Sequence, residues 1–313
     1  MAKLKALLLT EGYHGMISQV EGLAKALQAE FQHKIVRLNW PWNFIPPKLT
    51  PISEIILKDK HYINENKSFD LVISCGRKSV IPSAIIKKKN TNIFTIHIQD
   101  PKVNYKNFDV IIAPEHDDLK GENVISSKGS IHYITQSEIE KAKNYLVNKF
   151  QNENIVSLIL GGPTKYYSFS NEELIQVFRK IKSNFISQGH KVLVIPSMRT
   201  PKRIIDLAMK EFVKEGFVVN TVDKQAYLSA LALATNIVVT CDSTSMISEA
   251  AASGKPIFVA HMEPKKNNYR FKKFFQLFRE MGIAKELGDK VDNWTYNRFN
   301  EADRIATLMR KKL

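Results

Sequence analysis

Short apolar runs alternate along the chain with stretches in which apolar residues recur at helical spacing. In the first half the strand-like runs are 5–10, 33–38, 71–75, 93–98 and 110–113. Between the first two, residues 19–30 place Val20, Leu23, Ala24 and Leu27 on one helical face. The second half repeats the pattern with 155–160, 191–195, 217–220, 237–240 and 256–259, and helices are expected to begin near Asn171, Pro201, Lys224 and Thr244. Such alternation predicts parallel sheets covered by helices on both faces, here as two doubly wound, Rossmann-like α/β domains. The polar stretch Gln151-Asn152-Glu153-Asn154 follows a helical pattern at 137–150 and precedes a new strand, so the expected domains are 1–150 and 151–313. Residues 294–313 have a helical pattern with no strand after it, and are expected to cross back onto the first domain.

Composition narrows the picture. With 313 residues and 44% hydrophobic content, the chain builds ordinary cores without covalent staples. Cys75 and Cys241 each end an apolar run and are too few and too separated for a disulfide framework or a zinc site, which points to a reducing compartment. The apolar part of the amino terminus is too short for a signal peptide, and no uncharged stretch approaches the roughly 18 residues of a membrane span. A cytoplasmic location is therefore expected, with the inner membrane's cytoplasmic face as a peripheral option. The net charge of +15 is spread over both halves, and no recognised nucleic-acid-binding signature accompanies it, so no nucleic-acid partner is expected.

In doubly wound sheets, ligands bind beyond the carboxyl ends of the strands, where helix amino termini offer N–H groups to phosphates. Three loops of the second half are polar at those positions. Gly161-Gly162-Pro163-Thr164-Lys165 pairs glycines with a hydroxyl and a cation, but has neither the Walker nor the dinucleotide-fingerprint spacing. In Ser197-Met198-Arg199-Thr200-Pro201, Thr200 is a natural helix cap and Arg199 suits a diphosphate, because its guanidinium can fork two oxygens. The third loop, Cys241-Asp242-Ser243-Thr244-Ser245-Met246, opens a helix of small residues. One turn further in, Glu249 is placed to bind ribose hydroxyls. Each loop taken singly also reads as a turn or a capping cluster.

The first half offers facing candidates, also after strands: the 12–19 loop with His14 and Gln19, Gly76 and Arg77, Gln99 and Asp100, and Glu115-His116-Asp117. Asp100 and His116 are the candidate general bases for an acceptor hydroxyl. His116 lacks a second histidine at ligand spacing, so no metal site is expected. In the basic, aromatic segment 264–279, Phe271, Phe274, Phe275 and Phe278 share a helical face, with Lys272, Lys273 and Arg279 elsewhere on the cylinder. That helix could lie on an anionic membrane, or its phenylalanines could simply face a core.

Taken together, Gly12–Gln19 with Gly22-Leu23-Ala24, Gly76-Arg77, Gln99-Asp100-Pro101, Pro114-Glu115-His116-Asp117, Gly161-Gly162-Pro163-Thr164-Lys165, Ser197-x-Arg199-Thr200-Pro201 and Asp242-Ser243-x-Ser245-Met246-x-x-Glu249-Ala250 resemble the mitochondrial-fission "elongated mitochondria" family. The resemblance spans nearly the whole chain and suggests a bacterial member. The sequence departs from the family pattern at Tyr13-His14 and at Cys241. It implies a GT-B-like fold, with two Rossmann-type domains facing a central cleft, an acceptor-side first domain and a nucleotide-sugar-binding second one. The implied activity is sugar transfer from a nucleotide-diphosphate sugar, as substrate, to a saccharide or lipid-linked envelope acceptor, with no cofactor or essential metal and with inversion. Plant members imply a different role, a non-catalytic adaptor recruiting a dynamin-like partner at a membrane. A nucleotide-sugar epimerase would use a similar two-domain framework without an acceptor.

Overall fold

Two parallel six-stranded sheets organise the computed structural model, which describes residues 3–64, 68–150 and 153–313. Contacts divide the chain into a first unit, Met1–Tyr133 with Asn300–Leu313, and a second, Ile134–Phe299. The first sheet has the order β2-β1-β3-β4-β5-β6, built from β1 (Lys5–Thr10), β2 (Glu30–Ile35), β3 (Leu71–Cys75), β4 (Phe94–Ile98), β5 (Val110–Pro114) and β6 (Val124–Ser127). Its helices are α1 (His14–Ala26), the short α2 (His61–Asn64) and α3 (Val80–Lys89).

The second unit begins with α4 (Gln136–Ala142). Its sheet order is β12-β11-β10-β7-β8-β9, from β7 (Ile155–Leu160), β8 (Lys191–Pro196), β9 (Gly216–Val218), β10 (Asn236–Thr240), β11 (Ile257–Ala260) and β12 (Ala284–Glu286). Between these strands run α5 (Asn171–Asn184), α6 (Lys202–Phe212), α7 (Lys224–Leu233), α8 (Thr244–Ala251) and α9 (Tyr269–Glu280). The last helix, α10 (Glu301–Met309), completes the first unit.

Strand periodicity sorts the first core into two layers. Ala6 and Leu8 of β1 pack with Val20, Leu23 and Ala24 of α1 and with Ala302, Ile305, Ala306 and Met309 of α10. Leu7 and Leu9 point the other way, into a cluster with Ile81, Ile85 and Ile86 of α3. Each such leucine, fully covered, contributes about 1.5–3 kcal/mol relative to exposure. The helical part of 294–313 is confined to α10. Its Glu301 carboxylate is fully covered, accepts from Lys128 N at 2.9 Å and is ion-paired with Arg304.

The unit boundary falls at residue 133/134 rather than near 150/151. Leu146 and Phe150 explain why, since they pack against Ile155, Leu193 and Ala230 of the second unit. Gln151 and Asn152, in the stretch where the join was expected, and Met1 and Ala2 lie outside the described residues.

In α9 the phenylalanine face is turned inward. Phe274 and Phe278 are fully buried, Phe271 lies edge-on to Tyr166 and Tyr167 with both centroids at 5.3 Å, and Phe275 meets His261 at 4.9 Å. The core reading of this helix holds, and its phenylalanines are not a free membrane face. Among the described residues, no helix is long and apolar enough to cross a membrane.

Candidate functional site

Each sheet has a topological switch point, where successive connections leave in opposite directions and open a crevice beyond the strand ends. In the second sheet it lies between β7 and β10, with β8 beside β7. The three polar loops expected to bind phosphate all emerge there, after β7, β8 and β10.

Asp242 organises this place. Its side chain is 0% exposed; Oδ1 accepts from Thr240 Oγ1 at 2.7 Å, and Oδ2 accepts from Gly162 N at 3.3 Å and from Arg199 Nη2 at 2.7 Å. The Arg199 side chain remains 46% exposed, so one edge of its guanidinium is fixed on protein while the rest faces solvent. The two glycines are required by the protein's own packing. A Cβ on Gly161 would lie 1.9 Å from Asp242 Oδ1, and one on Gly162 would lie 1.9 Å from the Arg199 carbonyl oxygen.

The neighbouring hydroxyls do more structural work than their sequence positions suggest. Thr200 does not cap α6, whose N-cap is Pro201. Its Oγ1 instead donates toward the carbonyls of Leu160 (2.7 Å) and Gly161 (2.9 Å) and accepts from Ser197 N (2.8 Å), stitching β7 to β8. Ser197 Oγ accepts from Arg199 N at 3.2 Å and fixes the backbone from which the guanidinium extends. Thr164 Oγ1 accepts from Tyr166 N and Tyr167 N, closing its own turn, while Lys165 Nζ sits 4.9 Å from the Tyr166 ring centre. Ser243 is the N-cap of α8, accepting from Met246 N at 3.3 Å; Ser245 lies in the first turn and Met246 is buried.

Glu249 accepts from Tyr227 Oη at 3.1 Å. Burial pushes its carboxyl up to about 7, against the lowering effect of that hydrogen bond, so near neutrality it can donate or accept. Cys241 is buried; burial pushes its thiol up to about 12, which makes it an inert packing residue. Tyr167, whose hydroxyl is also raised by burial, lies against that thiol and accepts from Asn268 Nδ2 at 3.3 Å. Thr240, Tyr227, Tyr167 and Asn268 escaped the sequence reading. Of these only Thr240, a hydroxyl ending an apolar strand beside an aspartate, left a readable signal.

In the first unit the switch point lies between β1 and β3. Glu11 accepts from Lys78 N at 3.1 Å there, and Gly76 takes a positive φ of 97°. Arg77 is turned to scaffolding: Nη1 donates to Ile45 O at 2.9 Å and Nη2 to Asn43 O at 2.6 Å. His14 Nε2 is 3.1 Å from Tyr133 Oη, and Gln19 bonds its own helix at Gly15 O.

Gln99, just after β4, takes a φ of 85°, a left-handed backbone that costs a non-glycine residue on the order of 1 kcal/mol, and its N–H donates to Ile112 O. Asp100 is ion-paired with Lys102 Nζ and accepts from Lys102 N at 2.9 Å. His116 Nε2 lies 3.7 Å from Asp117 Oδ1, in a single turn with the exposed Glu115. Among the described residues, no three His, Cys, Asp or Glu side chains converge as a metal-holding group.

Comparison with solved structures supports the architecture. The UDP-GlcNAc 2-epimerase of Methanocaldococcus jannaschii matches with a TM-score of 0.57 at 14% identity, covering 98% of this chain and 99% of that one. The Neisseria meningitidis UDP-GlcNAc 2-epimerase, solved bound to UDP-GlcNAc, matches with a TM-score of 0.56 at 12% identity, covering 98% and 99%. At such identities the likeness shows the fold alone, which is GT-B.

Sequence relatives are more specific. An uncharacterised protein of Rickettsia prowazekii is 27% identical, across 92% of this chain and 93% of its own length. The mitochondrial fission protein ELM1 of Arabidopsis thaliana is 25% identical across 78% of this chain and 64% of its own length, just under two thirds. The family model described as mitochondrial fission ELM1 matches residues 14–313, so the chain belongs to that family.

Proposed function

We propose that the second unit binds a nucleoside-diphosphate sugar at the β7/β8/β10 edge, and that the protein transfers its sugar to a saccharide or lipid-linked envelope acceptor on the cytoplasmic side. The observation that carries this reading is Arg199, fixed on the covered Asp242 beside the amino terminus of α8. A guanidinium held before the ligand arrives, next to the positive end of a helix, is suited to the charge that develops on a departing diphosphate. That arrangement supplies leaving-group stabilisation from protein groups. Glu249 and Tyr227 form an acid–hydroxyl pair suited to the two hydroxyls of a ribose.

In the transfer, the acceptor oxygen bonds to the anomeric carbon while the bond from that carbon to the diphosphate oxygen breaks. The electron pair leaves with the diphosphate, the acceptor proton goes to a base, and the configuration inverts. Asp100 and His116 are the candidates for that base. Asp100 already holds a cation in Lys102, and His116 has Asp117 beside it to stabilise an imidazolium.

Epimerisation is the second reading, suggested by the two UDP-GlcNAc 2-epimerase structures that match this fold. A thermal-shift screen with UDP, GDP, ADP, CMP and their sugar conjugates tests the binding step, since a ligand of the folded state raises Tm. A shift with one diphosphate, lost in Arg199→Ala, is expected. Release of the diphosphate only with acceptor present then supports transfer; isomerised sugar nucleotide without acceptor supports epimerisation. No shift with any nucleotide would reject both and favour a non-catalytic adaptor role.

A further inference from the structure

The long loop between β2 and α2, which includes the 3-10 turns Pro47–Leu49 and Glu54–Ile56, carries an unusual set of solvent-facing side chains. Trp40 is 83% exposed, Phe44 74%, Leu49 71% and Ile55 66%. Scattered single apolar residues on a surface are ordinary, whereas four large ones within one loop call for a partner.

Several backbone carbonyls of the same loop are held by side chains of the protein. Arg77 donates to the carbonyls of Asn43 and Ile45; Asn39 Nδ2 donates to those of Ile55 and Leu57, both at 3.0 Å; Thr50 Oγ1 donates to Pro46 O at 3.0 Å. Pro41, Pro46, Pro47 and Pro51 have no N–H to leave unpaired. Trp42 anchors the loop against the Leu7/Leu9 core layer, and Leu38 pairs with Leu57 at its neck. A loop tied in this way loses little entropy on docking and carries few polar backbone groups that would resist leaving water.

We infer that this loop is a membrane-docking surface, in which Trp40, Phe44, Leu49 and Ile55 enter the interfacial layer of an anionic bilayer. Charge selects a bilayer over an apolar protein groove. Exposed Arg37, Lys48, Lys58 and Lys60 flank the apolar residues against one exposed acid, Asp59; Glu54 is already ion-paired with Lys89, and the whole chain carries +15. Exposed tryptophan and phenylalanine with lysines around them match the aromatic, headgroup and phosphate layers of such a surface. The inference is independent of the nucleotide site, and it moves the expected membrane contact from α9 to this loop.

The test is co-sedimentation of the full chain with vesicles of phosphatidylcholine alone and of phosphatidylcholine mixed with phosphatidylglycerol. The wild type is expected to bind the anionic vesicles more strongly, and Trp40→Ala/Phe44→Ala to reduce that partitioning by about tenfold or more. Both side chains are exposed, so Tm and any nucleotide shift should be unchanged, and a Leu49→Ala/Ile55→Ala variant should repeat the loss. Lys272→Glu/Lys273→Glu on α9 should bind like wild type. Failure of the wild type to bind either vesicle, or equal binding by wild type and both loop variants, would overturn the proposal.

Discussion

At the switch point of the first unit, Glu11 receives Lys78 N at 3.1 Å and Lys78 Nζ at 3.8 Å, while the neighbouring Arg77 is spent on carbonyls of the β2 loop. At that of the second, Asp242 is wholly covered and turns Arg199 outward. Both places set an acid behind a strand end, with a cation nearby. They differ in what holds the arginine, which is a pair of loop carbonyls in one unit and a covered carboxylate in the other. In the second, the guanidinium is aimed by its own acid, and its open edge is the part that the proposed ligand uses.

The contrast can be broken most severely at the glycines. Gly162→Ala should cost about 3 kcal/mol or more in urea denaturation, because the new methyl meets the Arg199 backbone, which cannot swing aside. Gly15→Ala in α1, where a Cβ meets nothing within 4 Å, should instead stabilise by about 0.5–1 kcal/mol. Next in size, Asp242→Ala should cost about 2–3 kcal/mol by stranding Gly162 N–H, the Thr240 hydroxyl and Arg199, against about 1 kcal/mol for Glu11→Ala.

The two arginines sharpen the comparison further. Arg199→Ala should weaken binding of the matching nucleoside diphosphate by about tenfold to a hundredfold in calorimetry, and should lower stability by about 1–2 kcal/mol because the covered Asp242 carboxylate loses its cation. Arg77→Ala should leave that affinity alone and lower stability by about 1 kcal/mol, by freeing two loop carbonyls.

The two units are also expected to show opposed pH responses. Buried His97, bonded through Nδ1 to Ser74 Oγ at 2.9 Å, is lowered from 6.5 to about 3 by desolvation. Between those values the unfolded chain takes the proton and the folded one does not, so this contribution is full above pH 6.5 and is lost as pH falls. Glu249 is raised from 4.5 to about 7, so its contribution is full below pH 4.5 and is lost as pH rises through 7. Denaturation profiles of His97→Gln and Glu249→Gln, each compared with wild type, should remove the acid and the neutral-side slope respectively.

The strands at the centre of each sheet were legible because burial on both faces makes them continuous apolar runs, as in Leu71–Cys75 and Ile155–Leu160. Of the edge strands, β9 was found close to its expected 217–220, at Gly216–Val218, and the other three were displaced or missed. β2 was expected at 33–38 but runs Glu30–Ile35, mostly exposed, and the apolar Val36 lies just beyond it. The short edges Val124–Ser127 and Ala284–Glu286 lack any run to detect. α1 starts at His14, earlier than expected, because its amino terminus has neither a side-chain cap nor an acidic first turn.

For the site, which loops converge followed from strand order, and all three emerge at one switch point. What the residues do to each other did not follow. The pairing of Arg199 with Asp242, the withdrawal of Arg77 to the β2 loop and the Tyr227–Glu249 bond all join residues far apart in sequence, through contacts with no periodic trace.

The α10 helix sets an order on synthesis. Ala302, Ile305, Ala306 and Met309 close one face of the first core, yet the ribosome makes them only after residues 134–299. At about 5–20 residues per second, that face stays uncovered for on the order of ten seconds or more, while the second unit emerges as an uninterrupted stretch. The half that is made first is therefore the last to be finished, and it is the half that a chaperone would have to shield.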